Sequence, residues 1–136
     1  MLSVSKIETF YGESQVLFGV DLEVRAGQVV SLMGRNGMGK STTINAIMGL
    51  KPPRTGTIEF ENRPIHRLPS HAIARAGLAL VPEGRQIFPN LTLRENLIAT
   101  AANRRDPWTL ERVFAMFPAL AERRDNRSDE TAVRVS

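Results

Sequence analysis

Cysteine is absent from all 136 residues. This excludes a disulfide framework and any thiolate metal site. Histidine is nearly absent: His66 and His71 cannot by themselves make a zinc site. Aromatics are few, with one Trp, one Tyr and six Phe. They are not interleaved with basic residues, so no nucleic-acid partner is expected despite a net charge of +4. Lysine is scarce too. Of 18 basic residues only Lys6, Lys40 and Lys51 are lysines, and the arginines stand singly or in pairs such as Arg104-Arg105 and Arg123-Arg124. No apolar run approaches the ~18 residues of a membrane-spanning helix. The opening "MLSVSKIETF" alternates in polarity, unlike the apolar centre of a secretory leader. The chain is therefore expected to be cytoplasmic, docking to a membrane only through a partner.

What remains is ordinary globular material. Hydrophobic residues make up 42% and charged residues 24%, enough for one modest core. "LSVSKIETFYG" and "VLFGVDLEVRAGQ" read as two strands, with a turn at Gly27-Gln28. "VVSLM" (29–33) is apolar almost throughout, the pattern of a strand buried on both faces. "KSTTINAIMGL" reads as a helix with Ile44, Ile47 and Met48 on one side, ended by Gly49 and Pro52-Pro53. "GTIEFENRPI" reads as an edge strand and turn. Ser70 is placed to cap a short helix that stops at Gly77. "LALV" (78–81) reads as a second buried strand, cut off by Pro82. "EGRQIFPNL" is a loop. Thr92 and Glu95 form a T-x-x-E capping box for a helix, "LRENLIATAAN", whose apolar face is Leu93, Leu97, Ile98 and Ala101. Asp106-Pro107 looks like the N-cap and first turn of one more helix, "WTLERVFAMF", broken by Pro118. The order implies an α/β nucleotide-binding fold with an antiparallel β layer attached.

The chemistry concentrates in "LMGRNGMGKSTT" (32–43). Gly34, Gly39, Lys40 and Ser41 satisfy G-x-x-x-x-G-K-[ST], between an apolar run and a helix. Glycines let consecutive N–H groups turn inward around phosphate oxygens, and the positive end of the helix favours the same charge. In such a loop the lysine reaches the β- and γ-phosphates and the hydroxyl ligates Mg²⁺. A plain glycine turn is the alternative, and the flanking context argues against it.

The longer run "GRNGMGKSTT" resembles the ATP-binding subunits of ABC transporters, whose loop reads G-x-N-G-x-G-K-[ST]-T. Gly34, Asn36, Gly37, Gly39, Lys40, Ser41 and Thr42 match it, with Arg35 and Met38 at the variable positions. The resemblance implies a P-loop fold of the ABC ATPase type, with ATP and Mg²⁺ as ligands. It implies that Tyr11 stacks on adenine and that Val16 packs near the base and ribose. "LVPEGRQIFPNLTLRENL" resembles the loop joining core to helical subdomain, most closely in the branched-chain amino-acid importers. Glu83 stands where most relatives carry Gln and that subfamily commonly carries Glu. Its implied role is a water-mediated contact to Mg²⁺ and coupling to the permease. The implied organisation is one partial ATP-binding domain over 1–136. It comprises a β layer and P-loop core (1–81), a coupling loop (82–90), a helical subdomain (91–127) and a divergent tail (128–136). The implied partners are a membrane permease and a second ATP-binding subunit, at the cytoplasmic face of the inner membrane.

Three further parts of such an ATPase are not found. No Ser-Gly-Gly occurs, so the signature LSGGQ is missing. Asp129-Glu130 follows "NRS" rather than four aliphatic residues, and Asp21 follows "LFGV" but precedes the phosphate loop. The catalytic-loop histidine has no counterpart. The expectation is a truncated or frameshifted form that binds ATP without turning it over, with no catalytic residue assigned. Two alternatives stand beside it: an importer subunit for urea or amides, and a nucleotide-binding module that acts without hydrolysis. A small P-loop kinase or GTPase would need a base-reading motif such as N-K-x-D, and none is seen.

Overall fold

Ten residues of β1 (Leu2–Tyr11) run between two neighbours. On one side lies β2 (Ser14–Val24), on the other β3 (Thr55–Phe60), both antiparallel. β4 (Arg63–Pro64) pairs with the end of β3, giving the order β2-β1-β3-β4. β3, read as an edge from the sequence, is thus covered by β4 at Glu59 and Phe60 only. The computed structural model describes residues 1–82, 84, 87–99, 101 and 108–127. They fall into two compact units, Met1–Val81 and Pro82–Ser136.

The sequence of β1 changes phase. Val4 is buried, then Ile7 and Thr9, so the alternation slips by one residue between them. A bulge makes the slip possible. The register against both neighbours breaks around Ser5 and Lys6, and Lys6 has a left-handed φ of 48°. The extra residue leaves its N–H without a ladder partner. The Asp21 carboxylate takes it, 2.9 Å from Lys6 N to Asp21 Oδ1. Across the same bulge sits Gly56, at φ 85°. A Cβ there would run into the carbonyl oxygens of Ser5 and Lys6.

The inner face of the sheet packs on α1 (Lys40–Ile47) and α2 (Ser70–Ala76). Val4, Ile7, Leu17, Ile47, Ile58 and Ile73 form the centre of this core. Each buried aliphatic contributes roughly 1.5–3 kcal/mol relative to exposure. α1 with its C-cap buries two of the three residues its apolar pattern suggests, Ile47 and Met48. It also buries Thr42, Thr43 and Ala46, while Ile44 is 38% exposed. α2 begins at Ser70 itself, after Pro69, and Ser70 makes no capping bond. Gly77 ends α2 at φ 120°, and Gly49 follows α1 at φ 68°, as the sequence suggests.

Two expectations are overturned. "VVSLM" (29–33) and "LALV" (78–81) are not strands. Val29, Met33 and Val81 are 95%, 86% and 93% exposed. A strand buried on both faces needs a packed layer over each face and a hydrogen-bonded strand beside it, and every described strand belongs to the antiparallel sheet. Leu32 and Leu80 instead line an open apolar cleft of about 260 Å³ with Leu2, Leu22 and Ile44.

In the second unit α3 spans Leu93–Ala99. The capping box is present as expected. Glu95 N donates to Thr92 Oγ1 at 3.2 Å, and Thr92 N donates back to Glu95 Oε2 at 2.8 Å. Ile98 is exposed, so the expected apolar face is incomplete, and no residue of α3 is buried. α4 (Leu110–Met116) is capped by Thr109, which accepts from Arg112 N. The expected cap at Asp106-Pro107 lies outside the described residues. Pro118 opens α5 (Pro118–Ala121). Asn96, unremarked in the sequence, holds the preceding loop. Its side chain accepts from Phe88 N at 2.8 Å and donates to Phe88 O at 3.0 Å.

Candidate functional site

The phosphate-loop residues stand where β2 meets the start of α1. Gly39 is the residue before α1, with φ 86° and ψ 6°. Only glycine takes that conformation without strain. It is also buried, against β2: a Cβ at Gly39 would lie 2.6 Å from Leu17 Cδ2 and 3.3 Å from Val16 O. Gly37 is left-handed as well, at φ 84°. Two left-handed glycines flanking Met38 curl the backbone back on itself, and Met38 N closes the turn on Arg35 O at 3.3 Å.

Lys40, the first residue of α1, reaches back over this turn. Its Nζ donates to Gly34 O at 2.6 Å and to Arg35 O at 2.8 Å. The ammonium therefore stands inside the loop. α1 opens with neither a side-chain cap nor an acidic residue in its first turn. Its first intrahelical bond is Thr43 N to Gly39 O at 2.8 Å. The first-turn N–H groups of Lys40, Ser41 and Thr42 are thus the orphans every helix leaves. Most helices satisfy them with Ser, Thr, Asp or Asn. Here a lysine ammonium, left-handed glycines and free N–H groups converge, which is the donor set an anion of several charges needs.

The remaining site residues divide clearly. Ser41 is exposed at the helix start, while Thr42 and Thr43 are buried, with Thr43 Oγ1 donating to Gly39 O at 3.0 Å. Arg35, Asn36 and Met38 are exposed around the turn. Val16 O lies 3.3 Å from where a Cβ on Gly39 would stand, which sets Val16 beside the loop. Tyr11 is 48% exposed at the end of β1, and Lys51 Nζ lies 4.8 Å from its ring centroid. No spacing argument could have joined those two residues. Glu83, expected on the metal side, lies outside the described residues. Among the described residues no three His, Asp or Glu side chains gather into a metal cluster. No described helix is long and apolar enough to cross a membrane.

The chain matches the family model described as ABC transporter over residues 17–134. It is 39% identical over 131 residues to the high-affinity branched-chain amino acid transport ATP-binding protein of Pseudomonas aeruginosa, covering 94% of this chain and 56% of that protein. It is 32% identical over 124 residues to the probable branched-chain amino acid transport ATP-binding protein of Archaeoglobus fulgidus, covering 91% and 52%. Among solved structures it resembles a nucleotide-free ATP-binding cassette from an ABC transporter, with TM-score 0.76 and 26% identity over 96% of this chain and 58% of that one. It also resembles a dimeric ATP-binding cassette bound to ADP and phosphate, with TM-score 0.71 and 25% identity over 95% and 62%. The chain spans about half the length of the curated relatives it matches.

Proposed function

The chain belongs to the ABC transporter ATP-binding family, and from that premise we propose that residues 34–42 bind the triphosphate of Mg-ATP in a subunit that energises import. The observation that carries the reading is Lys40. Its ammonium stands over the turn at Gly34 and Arg35, beside the uncapped start of α1. With a triphosphate in the loop, Lys40 exchanges two carbonyl acceptors for anionic oxygens, a stronger hydrogen-bonding partner. The first-turn N–H groups add neutral donors that need no reorganisation. The exposed Ser41 hydroxyl would be the protein ligand to Mg²⁺. When bound, Mg²⁺ would neutralise phosphate charge and make the β–γ bridging oxygen a better leaving group. Likeness to two branched-chain amino acid transport proteins supports branched-chain amino acids as the cargo, with urea or amides as the other choice. A permease and a second ATP-binding subunit are the proposed partners, in keeping with the dimeric relative.

Titration of a ribose-labelled fluorescent ATP in Mg²⁺ tests the reading. Lys40→Ala removes a charge-assisted bond worth about 1.5–3 kcal/mol, so its affinity should fall about tenfold or more. Equal affinity would overturn the placement.

A second reading is nucleotide binding without turnover. It concerns the 136-residue polypeptide as given, which contains neither Ser-Gly-Gly nor four aliphatic residues followed by Asp-Glu. Binding the ground state alone does not accelerate hydrolysis. Phosphate release should match the Lys40→Ala control; Lys40-dependent release well above it would remove this reading.

A further inference from the structure

Tyr11 does not offer two free faces. Lys51 Nζ lies 4.8 Å from the ring centroid, within cation–π range. The cover is built into the backbone rather than supplied by a loose side chain. Lys51 N donates to Asn45 O at 3.1 Å, tying the residue to α1. Three residues on, Arg54 N donates to Glu8 O at 2.7 Å, tying the same segment to β1. Arg54 places its guanidinium 4.8 Å from the ring of Phe10, the neighbour of Tyr11 on the strand. The segment 51–54 is thus tied to α1 by one backbone bond and to β1 by another, with two cation–π contacts on the end of β1.

We propose that Lys51 is a positioning residue for the nucleobase. It closes one face of Tyr11, holds the ring in place, and leaves the opposite face for a planar base. The inference rests on the ATP reading above and adds a residue to it. The order across the site is ammonium, phenol ring, base. Holding the ring beforehand removes part of the ordering cost that stacking would otherwise incur. Lys51 therefore acts through Tyr11 and not on phosphate.

The test is a double-mutant cycle, read by competition of ATP and of inorganic tripolyphosphate, each with Mg²⁺, against ribose-labelled ATP. Lys51→Met keeps the aliphatic stem and removes the charge. It should weaken ATP about two- to fivefold, the size of an exposed cation–π contact, and leave tripolyphosphate unchanged. Lys51→Arg should keep ATP affinity, because guanidinium also sits over aromatic faces. In a Tyr11→Ala background Lys51→Met should have no further effect. Three results would overturn the proposal. Equal loss for both probes would place the ammonium on phosphate. Tighter ATP binding by Lys51→Met would mean that Lys51 competes with the base. An unchanged effect in the Tyr11→Ala background would mean the ring is not the intermediary. Failure of the ATP reading itself shows separately, as Lys40→Ala binding ATP like the wild type.

Discussion

Leu17 Cδ2 occupies the space that a Cβ on Gly39 would need, only 2.6 Å from its ideal position. A leucine of β2 thereby adds to the left-handed φ of 86° in favouring glycine at this point of the phosphate loop. Gly39→Ala should destabilise the first unit by about 1–3 kcal/mol, since it combines a left-handed φ with this approach. Trimming the leucine isolates the two causes. In a Leu17→Val background the steric part should shrink while the backbone part remains, and thermal unfolding of the four proteins separates them. Equal penalties in both backgrounds would show that Leu17 is not the obstacle.

The hydroxyl of Thr9 is fully buried and finds no hydrogen-bond partner among the described residues. Burying an unpaired hydroxyl costs roughly 1–3 kcal/mol. Thr9→Val keeps the branched shape and removes that cost. Chemical denaturation should therefore give a midpoint higher than that of the wild type. A lower midpoint would mean that the hydroxyl has a partner in solution.

Glu95 carries a pH dependence. The Thr92 N–H and hydroxyl both bond its carboxylate and hold its pKa below the ordinary glutamate value. A lowered folded value means that the cap contributes fully above the unfolded pKa, about 4.3. The contribution fades as pH falls through the lowered value. Hydrogen exchange at Thr92 N–H should therefore accelerate as pH falls below about 4, relative to the intrinsic rate. In Glu95→Gln that extra acceleration should vanish. Its persistence would assign the pH effect to another group.

The apolar residues of 29–33 and 78–81 should govern solubility. Val29 and Val81 project into solvent, and exposed apolar runs promote association. Val29→Lys with Val81→Lys should lower light scattering at a given concentration and leave the unfolding free energy within about 0.5 kcal/mol of wild type. A large loss of stability would mean that the two side chains are packed.

What could be read from the sequence follows the range of the interaction. The Thr92–Glu95 box and the stop at Gly77 involve neighbours a turn apart, so residue type and spacing suffice. The glycine-lysine loop is also local, and its position at the start of α1 matches. Strand status for 29–33 and 78–81 depends on partners elsewhere, and apolar composition alone does not supply them. On α1 the apolar pattern finds Ile47 and Met48 but not the buried threonines, for a related reason. Thr42 and Thr43 are buried because Gly39 and the sheet lie over them, while Ile44 points away. The Tyr11–Lys51 contact joins positions 40 residues apart (51 − 11), beyond any periodicity. Only the phase slip in β1 left a trace of a distant feature, in the spacing of Val4 and Ile7.

That bulge constrains how sequences of this kind can drift. Gly56 has no room for a side chain because the extra residue of β1 brings two carbonyl oxygens against it. Asp21 is useful there only because that residue leaves an N–H to satisfy. Deleting one residue between Val4 and Ile7 would remove both of these demands at once, leaving at Gly56 only its left-handed φ. A relative with a strand shortened by that residue is then under less constraint at the positions of Gly56 and Asp21 than one with the full strand. The three positions should therefore change together, as a single inherited unit, across any collection of such chains.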